Sequence, residues 1–174
     1  MAGSKRVKAG DVPATECGNA EDLRCIEREL REEGEFHNGS RDGNGGVGGG
    51  WHASGNGAGS VAVCDIATVW DGEVAGIRQA LRMAPEVDVL VLSNSRTALQ
   101  AIKRAARSER GCSRDLVEVV DEVGRRSLRG LRTRFGWVKA HVGIVWNERA
   151  DLMAKVGCRE SLLPQVTEGG VRAY

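Results

Sequence analysis

Lys139-Ala-His-Val-Gly-Ile-Val-Trp-Asn-Glu-Arg-Ala-Asp151, entered from Arg134-Phe-Gly-Trp-Val138, carries a strand, a loop and a helix start within eighteen residues. Phe135, Trp137 and Val138 have the character of a strand end. Asn147 stands where a helix N-cap is expected, ahead of an apolar stripe at Ala150, Met153, Ala154 and Gly157. The order is therefore strand, short loop, helix, with His141 in the loop and Asp151 one turn into the helix. Asn147 and Asp151 are four residues apart and share a face turned back toward the loop. An imidazole and a carboxylate are thereby aimed at one place. A plain loop histidine and a solvated first-turn Asp, favoured by the helix dipole, fit the same pattern.

Moving outward toward the N-terminus, residues 113 to 130 read as a helix with Leu116, Val119, Val120 and Val123 inward. Before it, Ser95 opens another helix with Ala98, Leu99, Ile102, Ala105 and Ala106 inward, and Arg96, Lys103, Arg104 and Arg107 largely elsewhere on its surface. Val87 to Ser93 is a nearly continuous apolar run, which suits a central strand covered on both faces, and Asn94 follows directly at its C-terminal end. Asp71 to Ala84 is a helix with a stripe at Gly76, Ile77, Ala80, Leu81 and Ala84, closed by Pro85. Extended backward, that stripe reaches Glu73. A carboxylate facing a sheet is costly to desolvate, so Glu73 belongs at the sheet's rim or on a cation; an exposed first-turn Glu is the alternative.

Residues 35 to 66 carry strand and turn signals. Glu35 to Asn38 is a short strand ending at Gly39-Ser40. Val47 to His52 follows the Asp42-Gly-Asn-Gly turn, and Ser60 to Ile66 follows Gly55-Asn-Gly-Ala-Gly59, giving an antiparallel meander. Gly43, Gly45 and Gly48 spell G-x-G-x-x-G, but a Trp-containing strand follows instead of a helix, which argues against a dinucleotide site. Residues 1 to 34 are polar, with Leu23, Ile26 and Leu30 as the sole apolar spacing, and read as a weakly ordered tail. Residues 159 to 174 read as a linker or truncated extension. The domain is expected over 35 to 158.

A chain of 174 residues suffices for one domain with a sizeable core. Its 41% hydrophobic and 28% charged content is that of a globular protein, and no run approaches the roughly 18 apolar residues of a membrane span. The N-terminus lacks a signal peptide's apolar stretch, so a nuclear or cytoplasmic, unsecreted protein is expected. Cysteines 17, 25, 64, 112 and 158 share no metal-ligand spacing and fit reduced thiols. The sequon at Asn38-Gly-Ser40 then goes unused. The net charge of +1 conceals a segment, residues 95 to 134, with eleven basic and five acidic side chains. That segment is a candidate phosphate-facing surface or a solvated arginine-rich face.

A strand ending in W-V-K, then A-H, then N-E-x-A-D with its Asp ten positions after the His, resembles the C-terminal motif of type 1 ribonuclease H. The likeness is strongest to the domain carried by reverse transcriptases of non-LTR retroelements. It spans about residues 35 to 158 and implies a three-layer α/β fold with a five-stranded mixed sheet in order 3-2-1-4-5, flanked by helices. It also implies metal-dependent cleavage of the RNA strand of RNA/DNA hybrids. In that family four carboxylates hold two Mg²⁺ ions: one following the first strand as D-G-S, one in the first helix, one ending the fourth strand as D-S, and the Asp of N-E-x-A-D. Glu73 and Asp151 match the second and fourth. Asn38 and Asn94 stand at the first and third, followed by Gly39-Ser40 and by Ser95-Arg-Thr-Ala-Leu99. Asp42, Asp65 and Asp88 are the alternative acids, but each falls at the wrong place along its strand or turn.

Each Asn keeps the shape and an acceptor oxygen of Asp and deletes a negative charge. At about 4 Å from a divalent ion that charge is a gross term of about 8 kcal/mol at an effective dielectric of about 20, much of it cancelled by desolvation. The resemblance thus implies catalysis by Glu73, Asp151 and a mobile His141, severely impaired at Asn38 and Asn94. Gly39, Ser40, Ser95, Arg96, Lys103, Arg104 and Arg107 are the expected nucleic-acid contacts. RNA/DNA hybrid or other nucleic acid is the expected partner of a monomer, with reverse transcriptase modules of a parent polyprotein as a further partner. A binding-only module and an inert polyprotein fragment are the alternatives.

Overall fold

The computed structural model describes residues 14–17, 33–53, 57–64, 66–107, 112–141, 143–162, 166–167 and 170–171. Strands β1 (Ala14–Cys17), β2 (Glu33–Arg41), β3 (Val47–Ala53), β4 (Gly57–Val63), β5 (Val89–Ser93) and β6 (Thr133–Val138) form one sheet in the order β1-β6-β5-β2-β3-β4. Helices α1 (Val69–Met83), α2 (Arg96–Ala105), α3 (Arg114–Leu128) and α4 (Val145–Ser161) flank it. The five strands β2 to β6 reproduce the expected 3-2-1-4-5 order: β2-β3-β4 is an antiparallel meander, while β2-β5 and β5-β6 are parallel.

Two departures lie at the chain ends. Ala14–Cys17, expected within a tail, adds a sixth strand parallel to β6, and Glu33-Gly34 already belong to β2. The spacing at Leu23, Ile26 and Leu30 lies outside the described residues. At the other end α4 runs to Ser161, and β7 (Val166–Thr167) pairs with β8 (Gly170–Val171) in the stretch expected as a linker.

Side-chain alternation divides the core in two. Phe36, Leu90, Leu92 and Val138 point to one face and pack with Ile144 and Ala150 against α4. Val89, Val91 and Phe135 point to the other and pack with Val74, Ile77, Leu81, Ile102, Leu116, Val119 and Val123 of α1, α2 and α3. Every residue of β5 is buried, as its continuous apolar run requires.

Local chemistry sets the helix starts. Thr68 caps α1 by a reciprocal pair: its side chain accepts from the Asp71 N–H, and the Asp71 carboxylate accepts from the Thr68 N–H at 2.7 Å. This moves the helix start ahead of the expected Asp71. Ser95 and Ser113 cap α2 and α3.

The expected cap of α4 is corrected. Ile144, not Asn147, is the N-cap, with no side-chain capping bond, and Asn147 is buried in the first turn. Burial of Ile144 with Phe36 and Leu92 fixes the entry of the chain, so apolar packing overrides side-chain capping here. Trp146 braces the same turn, with its ring 4.8 Å from that of His52 and the Arg149 guanidinium 4.8 Å from its centroid.

The run Gly48-Gly49-Gly50 gives the helices bare backbone to rest on. A Cβ at Gly50 would lie 2.2 Å from Ala150 O, and one at Gly49 2.4 Å from Gly72 O on the opposite face. Both α4 and α1 therefore sit closer to β3 than any side chain there allows. Among the described residues no helix is long and apolar enough to cross a membrane.

Candidate functional site

The parallel register pairs His37 with Ser93, so Asn38 and Asn94 are the next residues on strands about 4.8 Å apart, at the C-terminal ends where open sheets bind ligands. Alternation turns Asn38 toward α4, the side of Phe36, and turns His37 and Gly39 toward α1.

From the α1 side Glu73 reaches this edge and is 5% exposed. A Cβ at Gly39 would stand 2.6 Å from the Glu73 backbone nitrogen and 2.5 Å from Val69 O, so glycine is what allows α1 this close. Burial pushes the Glu73 carboxyl up to about 7; donation from the Gly39 N–H and the Ser93 hydroxyl opposes the rise, and the negative charge of Asp151 adds to it. Glu73 Oε2 is buried with no hydrogen-bond partner among the described residues. His37, beside it on the same face, is fully buried, and desolvation pushes it down to about 3 against an opposing backbone interaction with Gly76.

From the α4 side Asp151 meets Asn38, whose Nδ2 donates to Asp151 Oδ1 at 3.4 Å. The other carboxylate oxygen accepts from Lys155 Nζ at 2.6 Å, a bond that, with the attraction of the two charges, raises the Lys155 pKa. The sequence reading passed over Lys155, although its spacing of four residues from Asp151 is a legible helical ion pair.

Asn94 is half-buried, and its backbone carbonyl accepts from Trp137 Nε1 at 3.0 Å. The Arg96 guanidinium stacks 3.9 Å from the Trp137 ring centroid, which holds one expected nucleic-acid contact at the cleft's rim. Ser95 spends its side chain on the α2 cap, and its N–H donates to Ser93 Oγ. The Ser40 carbonyl accepts from the buried Cys158 thiol at 3.0 Å. Cys64 is exposed and Cys158 is buried, each as a thiol.

His141 stands in the β6–α4 turn at φ 54, a left-handed conformation uncommon for a residue other than glycine. It is exposed, and its Nδ1 lies 3.8 Å from Glu148 Oε2, so the loop brings it to a first-turn carboxylate of α4 and not to Asp151.

The basic segment resolves into two parts. Arg114, Arg125, Arg129 and Arg132 pair with Glu118, Glu122, Glu86 and Asp88. Arg126 is buried, bonded to Thr133 and to the carbonyls of Pro85 and Val87. Lys103, Arg104 and Arg107 form no ion pair among the described residues and share a shallow depression with Gln100. Of the candidate phosphate-facing segment, the side chains without an ion pair among the described residues thus include these three in and just after α2.

Of the alternative acids, Asp42 is consumed by the turn N–H groups of Asn44 and Gly46. Asp88 binds Arg132 at the far end of β5, and Asp65 lies outside the described residues. No group of three or more His, Cys, Asp and Glu that could hold a metal ion exists among the described residues. The two carboxylates at the cleft differ in readiness: burial raises the Glu73 carboxyl to about 7, while Asp151 already holds an ammonium and an amide. This donor set does not fit a pair of divalent ions, which needs bridging anionic oxygens.

The family model described as RNase H matches residues 36–159, and no curated protein matches the chain.

Proposed function

Since the chain belongs to the RNase H family, whose members act on nucleic acid and generally use divalent metal ions, we propose that it is a nucleic-acid-binding domain that takes RNA/DNA hybrid and cleaves it feebly or not at all. One observation carries the reading: the side chain that meets Asp151 here is the neutral amide of Asn38, whose Nδ2 donates to Asp151 Oδ1. At the position the resemblance assigns to a metal-binding carboxylate, this side chain keeps an acceptor oxygen but brings no negative charge to an ion. The carboxylate charge expected at the cleft falls from four to two, and the Lys155 ammonium offsets one of those.

Binding falls to Arg96, Lys103, Arg104 and Arg107, with the Gly39-Ser40 backbone at the edge of the cleft. In this reading the domain derives from a retroelement reverse transcriptase, and Asn38 and Asn94 replace aspartates. The test is cleavage of an RNA/DNA hybrid in Mg²⁺ or Mn²⁺ by the natural chain and by a variant carrying Asn38→Asp and Asn94→Asp. Binding without cleavage by the natural chain, with cleavage gained in the double variant, is expected. Full cleavage by the natural chain refutes the reading.

A further inference from the structure

The cleft carries a cation of its own. Lys155 Nζ sits 2.6 Å from Asp151 Oδ2, one helical turn along α4. The two ends of this pair differ in exposure: the Asp151 side chain is 15% exposed and that of Lys155 is 56% exposed. Asp151 is held on its second oxygen by the Asn38 amide, so the carboxylate has a donor on each side and a fixed orientation. An ammonium has three N–H donors, and Asp151 accepts one of them. A lysine otherwise free to sweep solvent is therefore tethered at the sheet edge, with donors to spare and most of its length open to an incoming ligand. No other cation reaches the two cleft carboxylates through an ion pair among the described residues.

A phosphodiester backbone has the chemistry to take those donors. Each phosphate offers anionic oxygens that form short, charge-assisted bonds to an ammonium without regard to base sequence. We propose that Lys155 is a phosphate-binding residue of this cleft, its ammonium taking the place of a divalent ion between Asp151 and the nucleic-acid backbone. This rests on the reading of the domain as a hybrid binder and adds two things to it: a contact on α4, opposite the basic face of α2, and independence of binding from divalent cations. A divalent ion entering at Asp151 must displace Lys155 and also turn the Asn38 amide.

The experiment measures affinity of the full chain for a short RNA/DNA hybrid over a range of salt, once in EDTA and once in Mg²⁺ at matched ionic strength. The natural chain is expected to bind equally well in both. Lys155→Met is expected to weaken binding and to lower the slope of log K against log salt by about 0.9, the loss of one neutralised phosphate. A third protein, Lys155→Met with Asp151→Asn, separates contact from shielding. If Lys155 touches phosphate, the double variant stays weak with the shallow slope; recovery of natural affinity means that Lys155 merely masks Asp151 and overturns the proposal. An unchanged slope in Lys155→Met, or tighter binding of the natural chain in Mg²⁺, overturns it too. Absence of hybrid binding by the natural chain at low salt is a separate failure, that of the hybrid-binding reading itself, and removes the proposal with it.

Discussion

Replacing Glu73 with glutamine removes one proton-binding carboxyl while keeping its shape and an oxygen to accept from the Gly39 N–H and the Ser93 hydroxyl. Burial holds Glu73 at about 7 against an ordinary 4.5, so between those values the folded chain keeps a proton that the unfolded chain has lost. The stability this group contributes is complete below the unfolded value and declines as pH rises through the folded one. At about 1.4 kcal/mol per pH unit, the whole decline is about 3 kcal/mol. His37 acts in the opposite sense, because it is held neutral at about 3 against an ordinary 6.5. Its contribution is present above 6.5 and lost as pH falls toward 3, so from 4.5 to 6.5 the two slopes oppose each other and the natural profile is flattened. The difference between natural chain and variant cancels His37 and isolates Glu73. Urea unfolding midpoints at a series of pH values, with unchanged m, should show Glu73→Gln gaining on the natural chain from about pH 4.5, up to about 3 kcal/mol by about pH 8. A gap that stays constant across this range means that Glu73 titrates as if solvated, and refutes the desolvated cleft.

Gly50→Ala places a methyl 2.2 Å from Ala150 O and Ala154 N, and should cost about 2 kcal/mol or more in a thermal melt, since backbone cannot step aside as a side chain can. Arg104→Ala combined with Arg107→Ala should weaken hybrid binding evenly across sequences and lower its salt slope by about 2, read by fluorescence anisotropy; an unchanged slope removes α2 from the interface. Asn38→Asp and Asn94→Asp should each restore little cleavage in Mg²⁺ and together restore far more than the product of the two gains. Simple multiplication of the single effects would refute one shared cluster.

The elements from β2 to α4 were legible because each carries its own period or cap: the all-apolar Val89–Ser93, the stripes of α1, α2 and α3, and Ser95 and Ser113 ahead of their helices. The resemblance of Lys139 to Asp151 then ordered them, and it led to Glu73, Asn38, Asn94 and Asp151 around one edge. What escaped depends on partners distant in sequence. Ala14-Thr-Glu-Cys17 has no alternation to mark it and is a strand only because the outer edge of β6 is there to pair with. Asn147 looked like a cap because capping is local, whereas the burial of Ile144 against Phe36 is not. The basic excess of residues 95 to 134 was visible as a count, and the pairs Arg114–Glu118 and Arg125–Glu122 lie at helical spacing, but the arginines spent on Glu86 and Asp88 could be subtracted only in three dimensions. Lys155, by contrast, is readable from its four-residue spacing from Asp151 alone.

Two helices resting on the bare peptide groups of Gly48-Gly49-Gly50 give the cleft a gauge set by backbone thickness. One helix carries Glu73 and the other Asp151, and their separation is referred to a strand that offers no side chain to swell, shrink or repack. Charge at the cleft can then be altered without altering its outline. An inhibitor or partner that recognises outline alone would treat an active and an inactive cleft of this build as one, and discrimination between them must be made by charge.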